Sequence, residues 1–295
     1  MNESNPSELM IRQRLLALAR TLPSAAGGDV NAIHQARVAT RRVRAALPIV
    51  TRGSRRRKLK KSFTRLTRGL GSVREVDVAV LTLDELASDA SVPREGLEQL
   101  RAILQQERQH LYADMAAIVE HVNLDRLQRK TMAAVERALE DDREQPDLKR
   151  LKSVIKRAGK RALDLQAAIE NAGNIYLADR LHQVRIATKK LRYVLEIARE
   201  LSRSRASARI RMLKNVQDLL GHMHDLEVLI TRIRALQGSD RAPTLKVSAD
   251  LDRLVRRLEM ECRQLHVRYM GFKKKLLELC DYVTAADARQ PASAA

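Results

Sequence analysis

The stretch IHQARVATRRVRAAL, residues 33–47, returns 148 residues later as LHQVRIATKKLRYVL, residues 181–195. His34 matches His182, Arg37 matches Arg185, Arg41 matches Lys189, Arg42 matches Lys190 and Arg44 matches Arg192. On a helix that turns about 100° per residue, with His34 at zero, Arg41 falls near −20°, Arg37 near −60°, Arg44 near −80° and Arg42 near +80°. Ile33, Ala36, Ala39, Val43, Ala46, Leu47 and Val50 cluster on the opposite side, and the second copy repeats the pattern with Leu181, Val184, Ala187, Leu191, Val194, Leu195 and Ala198. Each copy is thus an amphipathic helix with one core stripe and one cationic stripe. An ordinary solvated face mixes charges of both signs at i,i+4 spacing. These stripes do not: the first reaches Thr51 without a carboxylate, and Glu196 is the first in the second.

Composition agrees with a helical chain. The 295 residues contain no Trp, two Phe and five Tyr, with 11 Gly and 7 Pro. A core must then come from Leu, Ile, Val, Ala and Met, and little is left for β-turns, so the chain is read as all-α. The formal net charge of +20 implies a polyanionic partner or an anionic surface: nucleic acid, an anionic membrane or inorganic polyphosphate. Cys262 and Cys280 fall in one predicted helix, roughly 27 Å apart, too far for an internal disulfide, and free thiols fit a reducing compartment. No stretch approaches the ~18 apolar residues of a membrane span, and the N-terminus has no apolar signal core, so a cytoplasmic protein is expected.

Helices are predicted over 7–22, from about 29 or 31 past Pro48, and over 55–70, 72–87, 93–121 and 124–141. Pro23 to Asp29 reads as a turn, and so do Gly53 and Ser54. The polar run DDREQP, 141–146, is the boundary between a first unit, 7–145, and a second, 146–283. The second unit is predicted as helices over 147–171, 176–201 and 207–220, GHMHDLEVLI from Gly221, a loop over 238–243, and a long helix over 244–283. Residues 284–295 are expected to be a disordered tail. GSVREVDVAVL from Gly71 matches the segment from Gly221 at an offset of 150 residues, so one two-residue length change lies between the motifs. The expected architecture is two related helical bundles whose basic stripes converge by pseudo-twofold symmetry.

The repeated H-x-x-R-V/I-x-x-R/K-R/K-L/V-R pattern, with LGSVREVDV from Leu70 and LGHMHDLEVL from Leu220, resembles the CHAD family, the conserved histidine α-helical domain. The resemblance spans roughly Leu9 to Val283. It implies two four-helix bundles facing across a basic groove or pore. It also implies non-catalytic binding of inorganic polyphosphate and association with polyphosphate granules. Carried over by motif, the anion-binding residues are His34, Arg37, Arg41, Arg42 and Arg44 in the first copy and His182, Arg185, Lys189, Lys190 and Arg192 in the second. Lys58, Lys61, Arg65, Arg68 and Arg74 join them from the neighbouring basic helix, with Arg211, Lys214 and His224 later. Arg65 aligns with Asn215, Arg68 with Asp218, and Arg74 with His224, so the second half is weaker and the site is expected to be lopsided.

The chemistry suits such a ligand. Arginine offers a planar fork of donors to phosphate oxygens, and lysine a mobile point charge. Arg37 and Arg44 lie roughly 10 Å apart along one helix, a ladder that a flexible phosphate chain can follow. A lone helix histidine usually satisfies a buried carbonyl; two at matched positions beside the same arginines point to anion contact. Their cationic form is disfavoured among arginines and favoured once a polyanion binds. Nucleic-acid binding is the alternative, but aromatics for base stacking are missing except Tyr193 near the motifs. Catalysis would need an activated nucleophile or carboxylates holding Mg²⁺, and no Walker motif is present. The recurring acids Glu75 and Asp225, and Asp77 and Glu227, are read as orienting nearby arginines. The run Glu259-Met-Glu261-Cys-Arg263 fits the ExExK/R signature of triphosphate tunnel enzymes, but it lies in a helical pattern and is set aside. No cofactor is expected. No metal site is expected either, since His222 and His224, two apart, do not share a helix face.

Overall fold

The computed structural model describes residues 5–89, 94–141, 146–202, 207–240 and 242–288. Among them are nine helices and no strand: α1 Pro6–Ala26, α2 Val30–Val50, α3 Gly53–Ala87, α4 Arg94–Glu120, α5 Leu124–Glu140, α6 Pro146–Ala172, α7 Ala178–Ser202, α8 Ser207–Gln237 and α9 Leu245–Ala288. The chain is all-α. Pro93 and most of the predicted boundary segment, 142–145, lie outside the described residues, as does the end of the expected tail, 289–295.

Helix starts follow local capping chemistry. Asn5 accepts from Ser7 N at 2.9 Å, Asp29 from Ala32 N at 2.6 Å and Asn123 from Arg126 N at 2.8 Å. Several boundaries differ from the sequence expectation, among them Gly53 and Ser54, which open α3 instead of forming a turn before it. Helix α1 runs through Pro23 to Ala26, because a proline in the last turn forfeits a single hydrogen bond. Gly71 and Gly221 do not end helices; α3 and α8 pass straight through them. Leu66, Leu70, Val73 and Val76 keep the apolar period across Gly71, and Val216, Leu220 and Met223 keep it across Gly221. Burial of those side chains outweighs the ~1 kcal/mol that a mid-helix glycine costs relative to alanine. Finally, α9 continues to Ala288, five residues into the expected tail.

The core is aliphatic and continuous through the molecule; Phe63 and Tyr269 are its fully buried aromatics. In the first half α1 packs on α2, α2 on α3 and α3 on α4, and both α4 and α5 touch α1. In the second half α6 packs on α7, α7 on α8, α8 on α9, and α9 returns to α6. The halves meet where α3 lies against α8, α4 against α9, α1 against α7, and α2 against α6 and α7. Ion pairs cross this junction. Arg14 on α1 bonds both oxygens of Glu200 on α7 at 3.1 and 3.0 Å, and Arg232 on α8 pairs with Glu107 on α4.

The α1–α2 turn needs glycine. Gly28 has φ +86°, and a Cβ there would meet the Tyr112 ring at 3.2 Å. Tyr112 donates to Ala26 O at 2.5 Å, and Arg108 Nη2 donates to Gly28 O at 3.0 Å. Helix α4 thereby fixes the start of α2, the first motif helix. Cys262 and Cys280 are both buried and free on α9. No helix among the described residues is long and apolar enough to cross a membrane.

Candidate anion-binding cleft

The two motif helices, α2 and α7, and the two glycine-bearing helices, α3 and α8, surround a cleft of about 670 Å³. Apolar stripes set the orientation of each helix. On α2, Ile33, Ala36, Val43 and Leu47 are fully buried, which turns His34, Arg37 and Arg41 toward α3 and α8. On α7, Leu181, Val184 and Leu191 do the same for His182, Arg185, Lys189 and Arg192. Helix α3 adds Arg74, and α8 adds Lys214 and His224. Gly71 leaves room at the wall: a Cβ there would lie 3.5 Å from Arg37 Nε.

These cations are crowded and poorly neutralised. The Nε atoms of Arg37 and Arg185 are buried and lack a hydrogen-bond acceptor. Burial, reinforced by Arg41, Arg185 and Arg74, lowers the Arg37 pKa to about 10. Burial and the charges of Arg41, Arg185, Arg37 and Lys190 bring Lys189 down to about 7. His34 is lowered by burial first and then by Arg74, Arg37 and Arg41. His182 is lowered by burial, His224, Arg185 and Lys189, against a smaller pull from Glu227. The His182 and His224 rings lie 4.5 Å apart, and His182 Nδ1 has no partner. Arg74, the first-half counterpart of His224, faces His34 instead. One end of the cleft therefore carries a permanent charge where the other carries a second imidazole.

Other expected residues lie outside this lining. Arg42 and Lys190 are exposed on the opposite flank of their helices, as their wheel position near +80° requires. Arg42 lines a separate cavity with Arg14, Arg199 and Glu200, and its carbonyl accepts from Arg14 at 3.1 Å. Arg44 is half-buried just beyond the cleft, its Nε without an acceptor. Lys58, Lys61, Arg65 and Arg68 are exposed along α3, and Arg211 along α8. Those helices extend past the cleft, so only their central segments reach it.

The cleft also holds residues that the motif comparison left out: Glu75, Gln217, Asp218, His222, Asp225 and Tyr193. Arg192 donates to Gln217 at 3.0 Å and to Glu196 at 2.7 Å, which partly neutralises it; Arg44, its counterpart, has Arg41 and Arg68 as charged neighbours. Tyr193 packs under Arg192 and Arg41, with guanidinium carbons 4.9 and 5.7 Å from its ring centroid. Burial raises the Asp225 carboxyl, and Arg185, His224, His222 and Arg74 restrain the rise. Asp225 and Glu75 both act on Arg185, one from each half. The recurring pair Asp77 and Glu227 has diverged. Asp77 holds Arg108 at 2.6 Å, outside the cleft, whereas Glu227 accepts from Tyr176 at 2.7 Å and sits 3.8 Å from His224. Glu259 and Glu261 lie on α9, paired with Arg234 and His222. Among the described residues no group of three or more His, Cys, Asp or Glu side chains is placed to hold a metal ion.

An all-helical chain with matched histidine–arginine helices around one cationic cleft defines a class of protein. The sequence pattern of the CHAD domain matches residues 9–234. The chain belongs to the CHAD domain family, which is known to bind polyphosphate. The crystal structure of the CHAD domain from the plant Ricinus communis is similar at 21% identity, covering 97% of this chain and 92% of that one, with a TM-score of 0.56. PptA from Streptomyces chartreusis is similar at 14% identity, covering 97% of this chain and 98% of that one, with a TM-score of 0.54. At these identities the likenesses establish the fold. No curated protein matches the chain.

Proposed function

We propose that the protein binds inorganic polyphosphate in this cleft without acting on it chemically. The observation that carries the reading is the meeting of Arg37 from α2 and Arg185 from α7. Each keeps a buried, unpartnered Nε, and the charge of Arg185 bears on Arg37. No carboxylate bears on Arg37, and those that bear on Arg185 form no ion pair with it, so both guanidinium groups are costly to bury as they stand. A linear polyanion supplies both the missing acceptors and the missing charge, and it releases its own counterions on binding. The three carboxylates that act on Arg185, Asp225, Glu227 and Glu75, suit an orienting role better than a catalytic one. Two copies of an ancestral helical unit, each giving one wall, account for the matched residues. A cytoplasmic protein carried to polyphosphate granules by this contact is the cellular counterpart of the proposal.

Competition tests it. Protein loaded with a fluorescent oligonucleotide is titrated with long-chain polyphosphate at modest salt, and free phosphate is followed in parallel. Displacement without phosphate release is expected. Failure to displace transfers the cleft to nucleic acid, for which Tyr193 and the histidine rings are the stacking surfaces among its lining residues. Protein-dependent phosphate release identifies an enzyme.

A further inference from the structure

We infer that the cleft opens onto a cationic track along the N-terminal part of α3, so that polyphosphate longer than the cleft leaves in one direction and gains affinity there. This rests on the cleft being the polyphosphate site. Gly71 and Glu75 line the cleft from α3. Stepping back along the same helix face gives Arg68, Lys61 and Arg57 at intervals of one or two turns. All three are exposed. None is paired with a carboxylate among the described residues, and α3 holds no acid before Glu75. Arg57 stands about 21 Å along the helix from Gly71.

The step from cleft to track is bridged. Arg44 lies within electrostatic reach of both Arg41, which lines the cleft, and Arg68, which begins the track. Its buried Nε has no acceptor. An anion passing from Arg41 to Arg68 would run beside it. Among the described residues the opposite wall offers no equal path along α8. The residues of α8 that match Arg68, Lys61 and Arg57 are Asp218, Arg211 and Ser207. A chain leaving on that side meets a carboxylate first, since Asp218 itself lines the cleft. The mixed pattern fixes a direction that an evenly basic surface would not.

The test compares tripolyphosphate with a ladder of longer polyphosphates, each titrated across a salt series. The wild type is set beside a track variant, Arg57→Gln with Lys61→Gln and Arg68→Gln, and a control that removes equal charge from α9, Arg263→Gln with Arg268→Gln and Lys274→Gln. All six side chains are exposed, so circular dichroism and melting should be unchanged. The track variant should bind tripolyphosphate as the wild type does and lose about tenfold in affinity for long chains. Its salt slope for long chains should fall by roughly two to three. The control should keep the wild-type length dependence. An undiminished long-chain advantage in the track variant overturns the inference, as does an equal loss for short and long chains or an equal loss in the control. If the wild type binds no polyphosphate of any length, the functional reading fails with it; tight long-chain binding that ignores the track overturns the track alone.

Discussion

Lys189 is the residue at which the crowding of the cleft is most easily measured. Burial first, and then the charges of Arg41, Arg185, Arg37 and Lys190, bring its pKa down to about 7. Between about pH 7 and 10 the folded protein holds this lysine neutral while the unfolded chain holds it charged. The unfolded state then binds more protons, so stability should rise with pH across that window. Lys189→Met should flatten the rise, as a melting series against pH would show. A bound polyanion returns the proton. Calorimetry near pH 8.5 in buffers of different ionisation enthalpy should therefore show proton uptake by the wild type and less by Lys189→Met; equal uptake would assign the proton elsewhere. The histidines give a second residue-scale expectation. The imidazolium form of His182 is disfavoured in the free cleft by burial first and then by His224, Arg185 and Lys189, with Glu227 the opposing charge. Binding should favour its imidazolium and tighten as pH falls through the histidine range, and His182→Gln should weaken that dependence. Affinity that is flat through this range would rule out a charged histidine in the bound state.

At the scale of the helix, α3 carries both a structural clamp and a wall of the cleft. Asp77 is buried and pairs with Arg108 of α4, which also holds the Gly28 carbonyl. Arg108→Ala leaves that carboxylate without its partner and should cost about 3 kcal/mol in urea unfolding. Two turns away, Gly71 admits a methyl group at ordinary contact distance from Arg37. Gly71→Ala should preserve binding and add up to about 1 kcal/mol of stability, whereas Gly71→Leu should displace Arg37 and weaken binding in a folded protein. The amphipathic period made α2 and α7 legible in the sequence, and the i,i+4 spacing of Arg192 and Glu196 was equally open to reading. The continuity of α3 and α8 was not. Gly71 and Gly221 read locally as breaks, and only the buried stripes on either side, set by neighbouring helices, carry the helix across them. The wheel placed Arg42 and Lys190 off the histidine line, and the structure sets them on the outer flank.

For the whole molecule, the sequence showed two matched cationic stripes but not that they meet. Their meeting depends on how α3 lies against α8 and α2 against α7, contacts between residues more than a hundred positions apart. Where the halves differ, the differences have local causes: Arg74 against His224, Arg44 against the Arg192–Glu196 pair, and the open face of α3 against Asp218 on α8. The central claim is that one polyanion is held by both halves together. It is tested most directly by polyphosphate titrations over a salt series for the wild type, Arg37→Ala, Arg185→Ala and the double variant. One ligand site per protein, comparable losses of about tenfold or more in both single variants, and a salt slope reduced by about one in each are the predicted results. A loss confined to one arginine, or two independent sites of unequal affinity, would contradict a shared cleft.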